Sequence, residues 1–123
     1  TATLTLPTIA NSAVGDTIIV EYQVGINNGQ THKYGTSTEM LMGGSACYRM
    51  DGSTGSAVGL IQTVDVADGT GDDFLNLIGL TNAGPGIGTY VIFTFNGSKW
   101  RAEARCTSSG TGVAANLSVF ATS

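Results

Sequence analysis

Few side chains in this sequence have the types and spacing that chemistry needs. His32 is the only histidine, and a neutral imidazole is the commonest general base near pH 7. A Ser-His-Asp triad around it would need a marked nucleophile, but G-x-S-x-G is absent and the hydroxyls are scattered. The residues around His32 read as an exposed loop or strand end. A surface or interface role is therefore expected for it, and the chain is expected not to be an enzyme. Asp65, Asp68, Asp72 and Asp73 form the one acidic cluster. Short carboxylates among flexible glycines can wrap a hard cation such as Ca²⁺ or Mg²⁺, but the EF-hand spacing with its distal Glu is missing. The segment reads as a solvated turn, with cation binding as the sharper alternative and no metal site assigned. Cys47 and Cys106 are 59 positions apart without a C-x-x-C motif. Buried thiols are the expectation, and whether the two pair is open. The run Gly84-Pro85-Gly86-Ile87-Gly88 precedes a strand rather than opening a helix, so it is a loop and not a phosphate cradle. No cofactor is expected.

The basic residues that cluster are Lys99, Arg101 and Arg105. At a strand's period of two they share one face with Glu103. That alternation suits a solvated sheet face, and it could also meet an acidic partner. Trp100 is opposite in phase and is expected in the core beside Phe93 and Phe95. An exposed Trp stacking on sugar is the alternative.

These residues sit on a background that excludes several classes. With 123 residues the chain fits one domain, 1–123. The net charge of −4 argues against a phosphate-binding nucleic-acid protein. No run of 18 apolar residues is present, so no membrane-spanning helix is expected. Apolar residues make up an ordinary 41 %, which argues for a folded core, whereas charged residues are only 11 %. Gly, Thr and Ser, 45 residues together, supply the remaining polarity. Such a surface packs against other subunits with few charges to desolvate.

The apolar periodicity is that of strands throughout. TATLTL (1–6) alternates and stops at Pro7, which cannot donate to a ladder. DTIIVEYQV (16–24) is rich in β-branched residues and reads as a buried strand. Positions 30–45 are ambiguous, since 39–42 suits a strand or one helical turn. SACYRM (45–50), VGLIQTVDV (58–66) and FLNLIGL (74–80) read as further strands, separated by the loops DGSTGSA (51–57) and ADGTGDD (67–73). TYVIFTF (89–95), Asn96-Gly97 and SKWRAEARC (98–106) form the clearest hairpin, because a type I′ turn needs positive φ at both central residues. VAANLSVFA (113–121) closes the set. About eight or nine short strands at this spacing imply an all-β, single-domain antiparallel β-sandwich or jelly-roll-like barrel.

Two stretches carry a resemblance. TATLTLPTIANSAVGDTIIVEY (1–22) resembles the opening of small β modules in tailed-bacteriophage virions, and GTYVIFTFNGSKWRA (88–102) resembles the hairpin that ends many of them. The two cover about a third of the chain, and 30–80 carries no such likeness. The resemblance implies a virion structural protein: a capsid decoration or cement protein that binds between capsomers as a homotrimer, with the major capsid protein or other virion subunits as partners. A fibre or spike module that binds a receptor or carbohydrate is the alternative. On this reading the contact residues are Thr3, Leu4, Thr5, Leu6 and Pro7 of the N-terminal strand (1–7), with Lys99, Arg101 and Arg105.

Overall fold

The computed structural model describes residues 1–35, 41–49, 59–60, 65–68, 73–79, 85–108 and 118–121. Among them lie ten strands: β1 (Ala2–Thr5), β2 (Thr17–Glu21), β3 (Thr31–Gly35), β4 (Leu41–Arg49), β5 (Gly59–Leu60), β6 (Asp65–Asp68), β7 (Phe74–Ile78), β8 (Tyr90–Phe95), β9 (Trp100–Ser108) and β10 (Ser118–Ala121). The only helical element among them is a single 3-10 turn, Ile9–Asn11. The strands form two sheets. One has four strands in the order β1-β3-β7-β10. The other runs β2-β8-β9-β4, with β5 and β6 both pairing along the far side of β4. The fold is an all-β sandwich.

Period-two alternation builds its core. Val91, Phe93 and Phe95 of β8 turn inward, as do Trp100, Ala102, Ala104 and Cys106 of β9. The opposite sheet contributes Tyr34, Leu75, Leu77 and Phe120. The Tyr34 and Phe93 rings meet between the sheets, 5.7 Å apart at their centroids. Each fully buried Leu, Val or Phe stabilises the fold by about 1.5–3 kcal/mol. Trp100 is fully buried, and its Nε1–H donates to the Pro7 carbonyl at 3.0 Å. That bond ties the chain after β1 to the start of β9, and it leaves no Trp100 face for sugar stacking.

Several sequence expectations are sharpened or corrected. The pairing is mixed rather than wholly antiparallel, since β1–β3 and β4–β9 are parallel. Sequence periodicity cannot tell the two directions apart, because both share a period of two. β2 is not buried: it is the edge of its sheet, Ile19 is 59 % exposed, and Ile18 and Val20 are half-buried. β-branched composition marks a strand but not its place in a sheet. The ambiguous 41–42 belong to β4, not to a helical turn. Ala67 and Asp68 belong to β6 rather than to a turn, and 51–57 lies outside the described residues.

The hairpin forms one residue later than the Asn-Gly rule places it. Asn96 N–H donates to Lys99 O at 3.0 Å, which makes Gly97 and Ser98 the central pair. Gly97 takes φ 104, and a first-position glycine is the type II′ arrangement. Asn96 is more useful outside the pair, because its Oδ1 accepts from the N–H groups of Ser98 (3.0 Å) and Lys99 (2.8 Å). Gly43 of β4 is a second required glycine. It has φ 126, and a Cβ there would overlap the Ala102 carbonyl oxygen of β9.

Candidate binding edge

The N-terminal strand is paired along one edge and exposed on both faces. β1 pairs with β3 from Ala2↔His32 to Thr5↔Gly35, and all four of its residues are exposed. An alternating strand that covered a core would have one buried face, so β1 lies as an edge strand with both faces open. The next residue is different. Leu6 is 1 % exposed, and its N–H donates to Gly35 O at 3.1 Å. Pro7 follows with its carbonyl on Trp100. Thr3, Leu4 and Thr5 are thus available to a partner, whereas Leu6 is used by the chain's own core and Pro7 by its anchor. Leu4, 42 % exposed, borders a shallow hollow with Ala2, Thr3, His32, Lys33 and Tyr34.

Arg101 and Arg105 are exposed on the outer face of β9, on either side of Glu103. Lys99 is half-buried at the turn exit, on the same side by alternation. The inward residues of β9 face the other sheet, so this basic group points away from β1. The structure does not bring the two sets of expected contact residues together. In register the outer face reads Thr17–Thr94–Arg101, Ile19–Ile92–Glu103 and Glu21–Tyr90–Arg105 across β2, β8 and β9. It is a mixed surface, not a concentrated basic patch.

Of the two expectations for His32, an exposed loop or a strand end, the structure shows the strand end, and the side chain is not exposed. His32 is the second residue of β3, half-buried, with its ring stacked on Tyr22 at 5.5 Å between centroids. Its Nδ1 lies 2.9 Å from the Tyr22 hydroxyl, and that hydroxyl also bonds to the hydroxyl of Tyr34. Burial, reinforced by the bond to Tyr34, holds the Tyr22 phenol far above its ordinary value. Burial likewise raises Tyr34, with the bond from Tyr22 partly opposing. Two neutral phenols and one imidazole therefore stitch the sheets together. The sequence carries one trace of this: Tyr22 continues the inward parity of Ile18 and Val20. Nothing in it shows that His32 and Tyr34 stand opposite.

The acidic cluster is divided. Asp65 and Asp68 lie on β6 in register with Ser45 and Met42, Asp73 leads into β7 of the other sheet, and Asp72 lies outside the described residues. Among the described residues no three His, Cys, Asp or Glu side chains are grouped to hold a metal ion, and no helix is long and apolar enough to cross a membrane. Cys106 is a buried thiol, and its register partner in the parallel β4–β9 pair is Cys47.

The fold defines a β-sandwich module in which, among the described residues, β1 and β2 each end a sheet with one edge unpaired. Comparison with protein-family models, with curated proteins and with solved structures found no match, so function rests on this geometry and on the sequence resemblance.

Proposed function

We propose that this chain is a non-enzymatic structural subunit that decorates a larger protein assembly, with the capsid surface of a tailed bacteriophage as that assembly. One observation carries the reading: β1 is clamped at its end by Leu6 and by the Pro7–Trp100 bond, yet both of its faces are open. A clamped strand presents a pre-ordered backbone edge for strand addition and loses little conformational freedom on docking. Leu4 supplies apolar contact, and the threonines add hydroxyls that are cheap to desolvate. The low charge of the chain fits a surface meant to be covered. The Arg101–Glu103–Arg105 face is a second, polar contact for a neighbouring subunit.

The test is co-sedimentation of purified chain with undecorated phage capsids. Wild type should pellet with them, and Leu4→Asp, which alters no buried residue, should stay in the supernatant. Equal pelleting of both, or of neither, removes the docking role of β1. The receptor- or carbohydrate-binding alternative has one supporting feature, an open cleft of about 380 Å³ lined by Glu21, Gln23, Ile87 and Tyr90 among others. Glycan-array binding that is lost in Tyr90→Ala with the fold intact would favour it.

A further inference from the structure

The second open edge is suited to pairing with itself. Among the described residues β2 pairs with β8 on one side and with no strand on the other. Phe95 N–H donates to Asp16 O at 2.9 Å, and Tyr22 N–H donates to Thr89 O at 2.9 Å. Asp16 and Tyr22 are both even-numbered, and backbone direction alternates along an antiparallel strand. Thr17, Ile19 and Glu21 therefore aim their N–H and C=O groups away from β8, at the open edge.

We infer that β2 pairs antiparallel with β2 of a second copy about a two-fold axis at Ile19. This axis sets Ile19 opposite Ile19 and Thr17 opposite Glu21, so every hydrogen-bonded pair of the seam uses outward-facing backbone groups. Three such pairs exchange about six hydrogen bonds. An axis at Ile18 or Val20 also opposes outward-facing groups, but it leaves only two such pairs within 17–21, about four hydrogen bonds instead of six. The side chains agree with the same axis. Ile18 and Val20, the half-buried residues where the core reaches this edge, face each other across the seam, each covering the other's exposed part. Ile19 packs on its own symmetry mate. The two Glu21 carboxylates fall at opposite ends of the seam, whereas a parallel pairing would set them side by side. No Lys, Arg or Pro stands in 17–21 to guard the edge against pairing. β1 is a poorer self-pairing edge, because it brings no half-buried apolar row to be covered.

The inference concerns self-association, so it goes beyond the docking role of β1 and does not depend on it. It also differs in symmetry from the trimer that the resemblance implies, since an isologous contact closes at two copies. A five-residue seam falls short of the roughly 1,200 Å² of a standard interface, so the pair should be of micromolar strength.

Sedimentation equilibrium of the full chain, from about 1 μM to about 1 mM, tests this. A monomer–dimer equilibrium is expected. Ile19→Lys, which sets like charges on the axis, should weaken it roughly tenfold or more with an unchanged circular-dichroism melt. Ile19→Pro removes a seam donor but none from the β8 ladder, and should weaken the pair similarly. Ile19→Cys should cross-link to itself with oxidised glutathione as electron acceptor, because opposed Cα atoms stand about 5.5 Å apart. Thr17→Cys should not, since its mate lies four residues along the seam. A monomer throughout the range, a trimer, or a dimer indifferent to Ile19→Lys overturns the inference. Capsid pelleting is read separately: a monomer that still pellets sinks only this inference, and a dimer that ignores capsids sinks only the docking role.

Discussion

Leu4 and Leu6 are the same residue two positions apart, and the structure gives them opposite duties. Leu4 is 42 % exposed on β1, and Leu6 is 1 % exposed in the core. Replacing Leu6 by Ala loses the transfer energy of a fully buried side chain, about 1.5–3 kcal/mol, and leaves a cavity. The sum should fall in the 2–5 kcal/mol range of buried Leu→Ala changes, about 3 kcal/mol. Leu4→Ala removes a side chain already nearly half in water and opens no cavity, so about 1 kcal/mol is expected. For a domain of this size 1 kcal/mol moves Tm by roughly 4 °C, which predicts drops of about 12 °C and 4 °C. Urea denaturation followed by circular dichroism measures both. Capsid pelleting at a temperature where both variants are folded should reverse the order: Leu4→Ala weakened, Leu6→Ala unaffected. Equal stability losses, or a loss under about 1 kcal/mol for Leu6→Ala, would refute the division of the segment into a docking part and an anchoring part.

Gly43→Ala should cost about 2–4 kcal/mol in urea unfolding, because its backbone is left-handed and its Cβ would strike β9. Trp100→Phe keeps a large ring but loses the bond to Pro7, so a loss of about 1–2 kcal/mol and faster proteolysis of the N-terminal segment are expected. Tyr22 and Tyr34 both titrate above the ordinary phenol value of 10.0, so the folded chain holds protons that the unfolded chain releases. Their contribution to stability is complete below about pH 10 and is lost as pH rises beyond it. Phenolate absorbance of this pair should therefore appear together with loss of the β circular-dichroism signal, and their ionisation in a still-folded chain would contradict the buried network.

The fold class is legible in the sequence because strands announce themselves locally. The alternation of Val91, Phe93 and Phe95 against Trp100, Ala102 and Ala104 sets both the hairpin and its core face, and the same alternation places Trp100 opposite Arg101. Sheet order is not legible, since it depends on pairings between residues far apart in sequence. Nothing local shows that TIIVE stands at an edge rather than a centre, so composition alone buries β2 and hides Ile19 as a contact residue. The parallel neighbours β4 and β9 are hidden for the same reason. In the N-terminal segment, Leu4 and Leu6 share one phase of the alternation and are equivalent by pattern. Only the inward turn at Leu6 and the Pro7–Trp100 bond separate them.

Both open edges lie on one flank of the sandwich. Tyr34 of β3 packs against Phe93 of β8 with the rings tilted, and β10 packs over β4 and β6. With β3 above β8, their outer neighbours β1 and β2 must fall on the same side. The opposite flank ends in β10 in one sheet and in β5 and β6 in the other. A chain that kept both edges as monomer surface would be expected to guard them with lysine, proline or a bulge. Here β1 and β2 together hold one charged residue, Glu21, at the very end of β2. No lysine or proline stands within either strand, while the charges of β9 lie on a sheet face and not along an edge. With β1 above β2 on that flank, pairing through β2 would set the two β1 strands facing each other over the seam, so self-pairing and strand addition at β1 compete for the same flank.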